Sequence, residues 1–221
     1  MDINRYIEHT NLKPTLTAND IDQLVAEAKE HSFLGICVPP FWVKKASREI
    51  GETDIQLVTV IGFPLGYQMT EAKLMEIDKA IDTGANELDI VMNVSAFKTG
   101  LPWTKIELAK CAHRIHEAGL MMKVIIETAY LTEAEIVTAS KICADAGTDF
   151  VKTSTGFAGA GAKAEHIRLM RENVPSNVGI KASGGIKSLA DAQSMIEAGA
   201  DRIGASSGVQ IMKEFNAGAG N

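Results

Sequence analysis

The chain has 221 residues, of which 46% are apolar and 23% charged, with a formal net charge of −6. Such a composition belongs to one globular domain with a substantial core. The acidic balance and the lack of a basic run exclude nucleic acid and anionic membrane as main partners. Apolar stretches such as Met121–Ile126, interrupted by Lys123, are far too short to span a bilayer. The segment Met-Asp-Ile-Asn-Arg lacks the basic stretch and apolar core of a signal peptide, so a cytoplasmic location is expected. Cys37, Cys111 and Cys143 are widely spaced, without a paired ligand pattern, and read as reduced thiols, Cys37 as a small buried hydrophobe.

Short apolar runs alternate with helix-period segments along the whole chain. Strands are expected at Tyr6–His9, Gly35–Val38, Gln56–Ile61, Glu87–Met92, Lys123–Ile126, Phe150–Thr153, Gly179–Ala182 and Arg202–Gly204. Between the first two, Ile21, Leu24, Val25 and Ala28 recur at helical spacing. Thr132-x-x-Glu135 reads as a capping box, and Ser188-x-x-Asp191 as a weaker one. Strand–helix alternation implies parallel pairing with right-handed crossovers. Eight such units in one α/β domain of 221 residues fit a compact (β/α)8 TIM barrel; a doubly wound open sheet is the structural alternative. The chain is read as a single domain, with 212–221 as a mobile tail.

A local repeat gives the strands a common scale. Gly84-Ala-Asn-Glu-Leu-Asp89, Gly147-Thr-Asp-Phe-Val-Lys152 and Gly199-Ala-Asp-Arg-Ile-Gly204 each place a glycine, a short turn and then a strand. Asp89, Lys152 and Gly204 therefore share one offset, and in a barrel an equal offset means a similar height. Lys181 stands in the next strand in the same setting as Lys152, just before a turn of small residues. Lysine is rare in strands, because an ammonium facing a packed interior loses its hydration. Two lysines with a carboxylate supply an amine nucleophile, a second cation to tune it and an acid–base group, which is the equipment of Schiff-base chemistry. Lys123 and Glu127, two pleats apart on the fifth strand, are expected to support that set.

Phosphate-binding signals lie late in the chain. Gly184 and Gly185 follow the seventh strand, and Gly204-Ala-Ser206-Ser207-Gly208 follows the eighth. Loops at these positions of a barrel bind phosphate through backbone N–H groups, hydroxyls and a helix N-terminus. Thr155-Gly156 closes the same pocket from the side, and Gly159-Ala-Gly161 reads as a flexible loop or lid. His113 and His116 share a helix without a third ligand, so no metal is expected. No motif for an organic cofactor is present either.

Several of these segments are similar to a known family. Phe150-Val-Lys-Thr-Ser-Thr-Gly-Phe157, Ile180-Lys-Ala-Ser-Gly-Gly-Ile186 and Gly204-Ala-Ser-Ser-Gly208 resemble the class I 2-deoxyribose-5-phosphate aldolases. So do Val60-Ile-Gly-Phe-Pro-Leu-Gly66, Glu87-Leu-Asp-Ile-Val-Met-Asn93 and Lys123-Val-Ile-Ile-Glu-Thr128, in the same order from Ile7 to about residue 211. The resemblance implies reversible cleavage of 2-deoxy-D-ribose 5-phosphate to D-glyceraldehyde 3-phosphate and acetaldehyde. By it, Lys152 is the Schiff-base lysine, Lys181 the neighbour that tunes it and Asp89 the proton-transfer group. Gly156, Gly184, Gly185, Gly204, Ser206 and Ser207 fall where the family holds phosphate. A barrel fold and homodimers are implied in the same way. Ile7–Pro14 departs from the family pattern, with Glu8 in place of the usual Asp and Asn11 in place of Leu; the longer Glu8 side chain shifts its carboxylate, so Glu8 stays outside the expected set. Two other readings remain open: a Schiff-base aldolase or transaldolase for another phosphosugar, and a noncatalytic phosphosugar-binding barrel.

Overall fold

The computed structural model describes residues 2–219. Eight parallel strands, each hydrogen-bonded to its neighbours in sequence, close into a barrel in which β1 pairs with β8. They are β1 (Ile7–Thr10), β2 (Gly35–Val38), β3 (Gln56–Ile61), β4 (Glu87–Val91), β5 (Met121–Ile125), β6 (Phe150–Lys152), β7 (Gly179–Ser183) and β8 (Arg202–Ala205). Helices α1 (Ala18–His31), α2 (Val43–Ile50), α3 (Thr70–Thr83), α4 (Val94–Lys98), α5 (Trp103–Glu117), α6 (Glu133–Asp145), α7 (Ala164–Asn173), α8 (Leu189–Glu197) and α9 (Gly208–Ala219) surround it. The open-sheet alternative is thereby removed.

Local chemistry accounts for several boundaries. Thr132 caps α6 and Ser188 caps α8, each accepting from the N–H of the acidic residue three positions on, so both capping boxes form. The first strand begins one residue later than expected, because Ile3–Tyr6 forms a single tight helical turn that uses Tyr6. The fifth begins two residues earlier, where Met121 pairs with Glu87. The reading of 212–221 as a tail meets a helix: α9 runs through residue 219 and buries Ile211 and Met212. Residues 220 and 221 lie outside the described residues.

Strand alternation separates two interiors. Outward residues such as Leu88, Ile90, Met122, Val124, Ile180 and Ile203 pack with the helices in one continuous core. Inward residues fall into tiers. The pairings Cys37–Val58 and Val60–Asp89, then Asp89–Lys123 and Ile125–Lys152, step two residues along each odd strand. Lys152–Lys181 and Ser183–Gly204, then Gly204–Glu8 and Thr10–Cys37, complete the circuit with the same step. This stagger brings residues from alternate strands to one level, as expected for eight-stranded barrels. From the N-terminal end the tiers are Gly35, Glu87, Phe150 and Arg202; Glu8, Val58, Lys123 and Lys181; Cys37, Asp89, Lys152 and Gly204; and Thr10, Val60, Ile125 and Ser183.

The repeated turns set this register. Gly84, Gly147 and Gly199 all have positive φ, between 87° and 109°, and end helices in a conformation that costs glycine little. The third residue of each repeat then clips its strand to the preceding one. Asn86 N–H donates to the Leu57 carbonyl while Leu57 N–H donates to Asn86 Oδ1; Asp149 pairs in the same way with Met122, and Asp201 with Ile180. The acidic residues of the turns thus satisfy strand-end N–H groups that no ladder reaches. Asp149→Ala is expected to lower unfolding free energy by about 1–3 kcal/mol, because it leaves the Met122 N–H without its acceptor. Asp149→Asn keeps an acceptor and should cost less. Urea denaturation of the two variants beside the unchanged protein measures the difference.

Candidate active site

The two middle tiers form a buried ion network. Asp89 Oδ2 accepts from both Lys152 Nζ (2.8 Å) and Lys181 Nζ (2.7 Å), while its Oδ1 accepts from Lys123 Nζ (3.1 Å). Glu8 pairs directly with Lys181, lies 3.5 Å from Lys123 and accepts from Arg202 at 3.3 Å. Glu87 in the lowest tier pairs with Lys123 and Arg202, and the Arg202 guanidinium lies 5.1 Å from the Phe150 ring centroid. Four cations thus face three carboxylates, all but Arg202 essentially shut off from solvent. Lysine side chains reach this depth because every charge has an opposite neighbour in the same or an adjacent tier.

The surroundings fix the charges. Burial works against ionisation of Asp89, yet Lys123, Lys152 and Lys181 together hold its carboxyl well below the usual carboxylate range. Burial likewise opposes the charge on Glu8, but Lys123 and Lys181 prevail and lower its pKa. For Lys181 desolvation favours the neutral amine; Asp89 and Glu8 outweigh it, so the pKa rises and Lys181 remains a cation. Lys123 is raised in the same manner against its own desolvation. Lys152 touches one carboxylate only, and it is the lysine that opens onto a cavity. Cys37, in its tier, is buried among apolar neighbours, and desolvation pushes its thiol up to about 11.

Above Lys152 a cleft of about 300 Å³ opens at the C-terminal ends of the strands. Gly156, Gly184, Gly185, Gly204 and Ser206 line it, with Thr155 at its side, as the sequence leads one to expect. Ser207 does not: it stands one residue beyond the lining, where its carbonyl accepts from Ile211 N–H. Thr10, Asn11, Lys13 and Lys187 also line the cleft, and sequence reasoning missed them. Lys187 stands two residues after the Gly184-Gly185 turn, and that proximity was the available signal. Gly161 packs so tightly on the β7 turn that a Cβ there would meet the Gly184 carbonyl oxygen at 2.1 Å. Ala162 N–H also donates to the carbonyls of Ser183 and Gly184, so the far end of the expected lid is tied to the cleft wall.

Glu127 departs from its expected place. β5 ends at Ile125, Glu127 takes a left-handed backbone (φ 53°), and its carboxylate turns to Thr155 rather than sharing a face with Lys123. His113 and His116 sit exposed on α5 beside Glu117 and Asp149. Among the described residues no group of three or more His, Cys, Asp or Glu could hold a metal ion. Among the described residues no helix is long and apolar enough to cross a membrane.

The network has a pH signature. Asp89 and Glu8 have lowered pKa values when folded, so their contribution to stability is complete above the ordinary carboxylate range and is lost as pH falls through the folded values. Lys181→Met removes a cation that holds both carboxylates down. Its acid unfolding limb should therefore begin at higher pH than that of the unchanged protein, measured as unfolding free energy against pH.

The chain is similar to known proteins over nearly its whole length. Residues 4–214 match the model of the DeoC/LacD family aldolases. A deoxyribose-phosphate aldolase of Brevibacillus brevis is 49% identical over 213 residues, 96% of each chain. Among solved structures, QR15, an aldolase, superposes with a TM-score of 0.93 at 44% identity, covering 98% of this chain and 97% of its own. Deoxyribose phosphate aldolase from Aeropyrum pernix, a tetramer, gives 0.90 at 33% identity, over 97% and 91%. With a matching family model across nearly its whole length and relatives this close, the chain belongs to the DeoC/LacD family of aldolases.

Proposed function

We propose that the chain is a deoxyribose-phosphate aldolase in which Lys152 forms the Schiff base. The observation that carries this reading is the sharing of Asp89 Oδ2 by Lys152 and Lys181 at the floor of a cleft with a glycine- and serine-lined rim. Lys181, held charged by two carboxylates, is a fixed positive neighbour, and Lys152 is the amine of the network that faces the cleft and attacks. Lys152 Nζ adds to C1 of the open-chain sugar and water leaves, giving a protonated imine. The C3 hydroxyl gives up its proton as the C2–C3 bond breaks, and the bonding pair moves into the imine to form an enamine. D-glyceraldehyde 3-phosphate leaves, C2 is protonated, and hydrolysis releases acetaldehyde and the free amine.

Asp89 orients both amines in this reading. Its carboxyl is held so low that a proton it takes from the C3 hydroxyl is not kept but handed on to C2 of the enamine; Lys181, already an ammonium, holds the carboxylate in place and takes no proton itself. Gly156, Gly184, Gly185, Gly204 and Ser206 hold the phosphate through backbone N–H groups and a hydroxyl, with Lys13 and Lys187 adding positive charge at the rim. Ser207 serves at one remove, by shaping the turn into α9. Three buried, unpaired cysteines accord with a reducing, cytoplasmic setting.

Borohydride with deoxyribose 5-phosphate or acetaldehyde should inactivate the enzyme and leave a reduced adduct on Lys152, located by peptide mass analysis. A stable adduct on Lys181 with Lys152 untouched would exchange their roles. Absence of any adduct would remove the Schiff-base mechanism.

We also read the protein as a homodimer. Tyr67, Met69 and Trp103, which are 64%, 75% and 61% exposed, line one surface pocket together with Ile106, and a contiguous apolar patch of this kind suits a second copy of the chain. Light scattering should give a mass of two chains; a single-chain mass at micromolar concentration would reject the dimer.

A further inference from the structure

Glu127 is 2% exposed and takes a backbone conformation that a non-glycine residue adopts only when its surroundings demand it (φ 53°, ψ 72°). One carboxylate oxygen, Oε2, accepts from both Thr155 N–H (3.1 Å) and Thr155 Oγ1 (2.5 Å). The other, Oε1, is buried with no partner. A side chain that is buried, strained and half unsatisfied is retained for what its remaining contacts hold in place. Here they hold a turn: Thr155 Oγ1 in turn accepts from Phe157 N–H at 3.0 Å, and between them Gly156 adopts φ 85° and lines the cleft. The preceding backbone is anchored as well, through Thr128 N–H to the Thr153 carbonyl (2.9 Å) and Ser183 Oγ to the Ser154 carbonyl (2.6 Å).

We propose that Glu127 is a positioning residue that sets the preference for a phosphorylated sugar, by fixing through Thr155 the turn that aims the Gly156 backbone at the phosphate. This rests on the reading of the cleft rim as the phosphate site. The carboxylate needs no contact with substrate; it decides where a neighbouring backbone points. Lys152, Lys181 and Asp89 stand on strands whose ladder and ion pairs do not pass through Glu127, so loss of the carboxylate should reach phosphate recognition before chemistry.

The test compares deoxyribose 5-phosphate with unphosphorylated deoxyribose. Glu127→Ala should raise KM for the phosphorylated sugar about tenfold, the scale of one lost buried hydrogen-bonding partner, and leave its kcat within about twofold. The kcat/KM for unphosphorylated deoxyribose should also change by less than about twofold. Glu127→Gln, whose amide oxygen can accept both Thr155 donors, should restore the preference. Thr155→Val removes the hydroxyl from the other side and should shift KM in the same direction; it carries the test should the alanine variant fail to fold. An equal loss on both sugars, or a glutamine variant as impaired as the alanine variant, would overturn the proposal. An unaltered enzyme with no preference for the phosphorylated sugar would instead reject the phosphate site itself.

Discussion

The Asp89 carboxylate is the point on which the site depends. Three lysines from three different strands meet on its two oxygens, in a barrel interior of the kind usually filled with branched apolar side chains. Coulomb attraction at low dielectric is large, and so is the cost of drying each charge, so the arrangement tolerates little slack. Removal of one carboxylate would leave several ammonium groups facing one another without solvent. The count of four cations against three carboxylates is a functional asset in this light. Of the four cations, Lys152 alone combines a single carboxylate partner with access to the cleft, so it is the amine least tied into the network.

The stagger of the strands turns sequence position into height. Asp89 and Lys152 stand on the same tier, though 63 residues apart, because the ladder climbs two residues for every second strand. Val58, Val60 and Cys37 occupy the other side of the barrel, with Leu12 and Phe63 packed over them. The interior is therefore divided, with charges towards β4 to β8 and β1 and an apolar wall on β2 and β3. Lys152 stands between the two, beneath the cleft that the glycine turns line.

Much of this was legible in the chain. β2 and β3 appear at their expected limits because their apolar runs are flanked by turn residues. Asp89, Lys152 and Lys181 stood out because charges in strand centres have few reasons to be there. Glu87 and Arg202 carry the same mark, in that Glu87-Leu-Asp89 and Arg202-Ile-Gly204 put charge on alternate, inward positions, but they open their strands, where exposure is the ordinary expectation. The longer Glu8 side chain was read as a misfit; in three dimensions its reach serves Lys181, Lys123 and Arg202 together. Glu127 was placed by counting pleats past the true end of β5, and no pattern of residues announces a left-handed turn at a glutamate.

The clipped turns and the tiers share a consequence for how the molecule comes into being. The ion network spans nearly the full chain, from Glu8 to Arg202, which are 194 positions apart. It joins β1 to β4 through β8, and β1 meets β8 only when the ring is complete. Until then buried amines and carboxylates would lack their counterparts, so a partial barrel is penalised in its interior as well as at its open edges. The charges that equip the enzyme thus also proofread its assembly: a ring that fails to bring β1 onto β8, or that sets a charged strand out of register by a single residue, would carry unmatched charge at its centre.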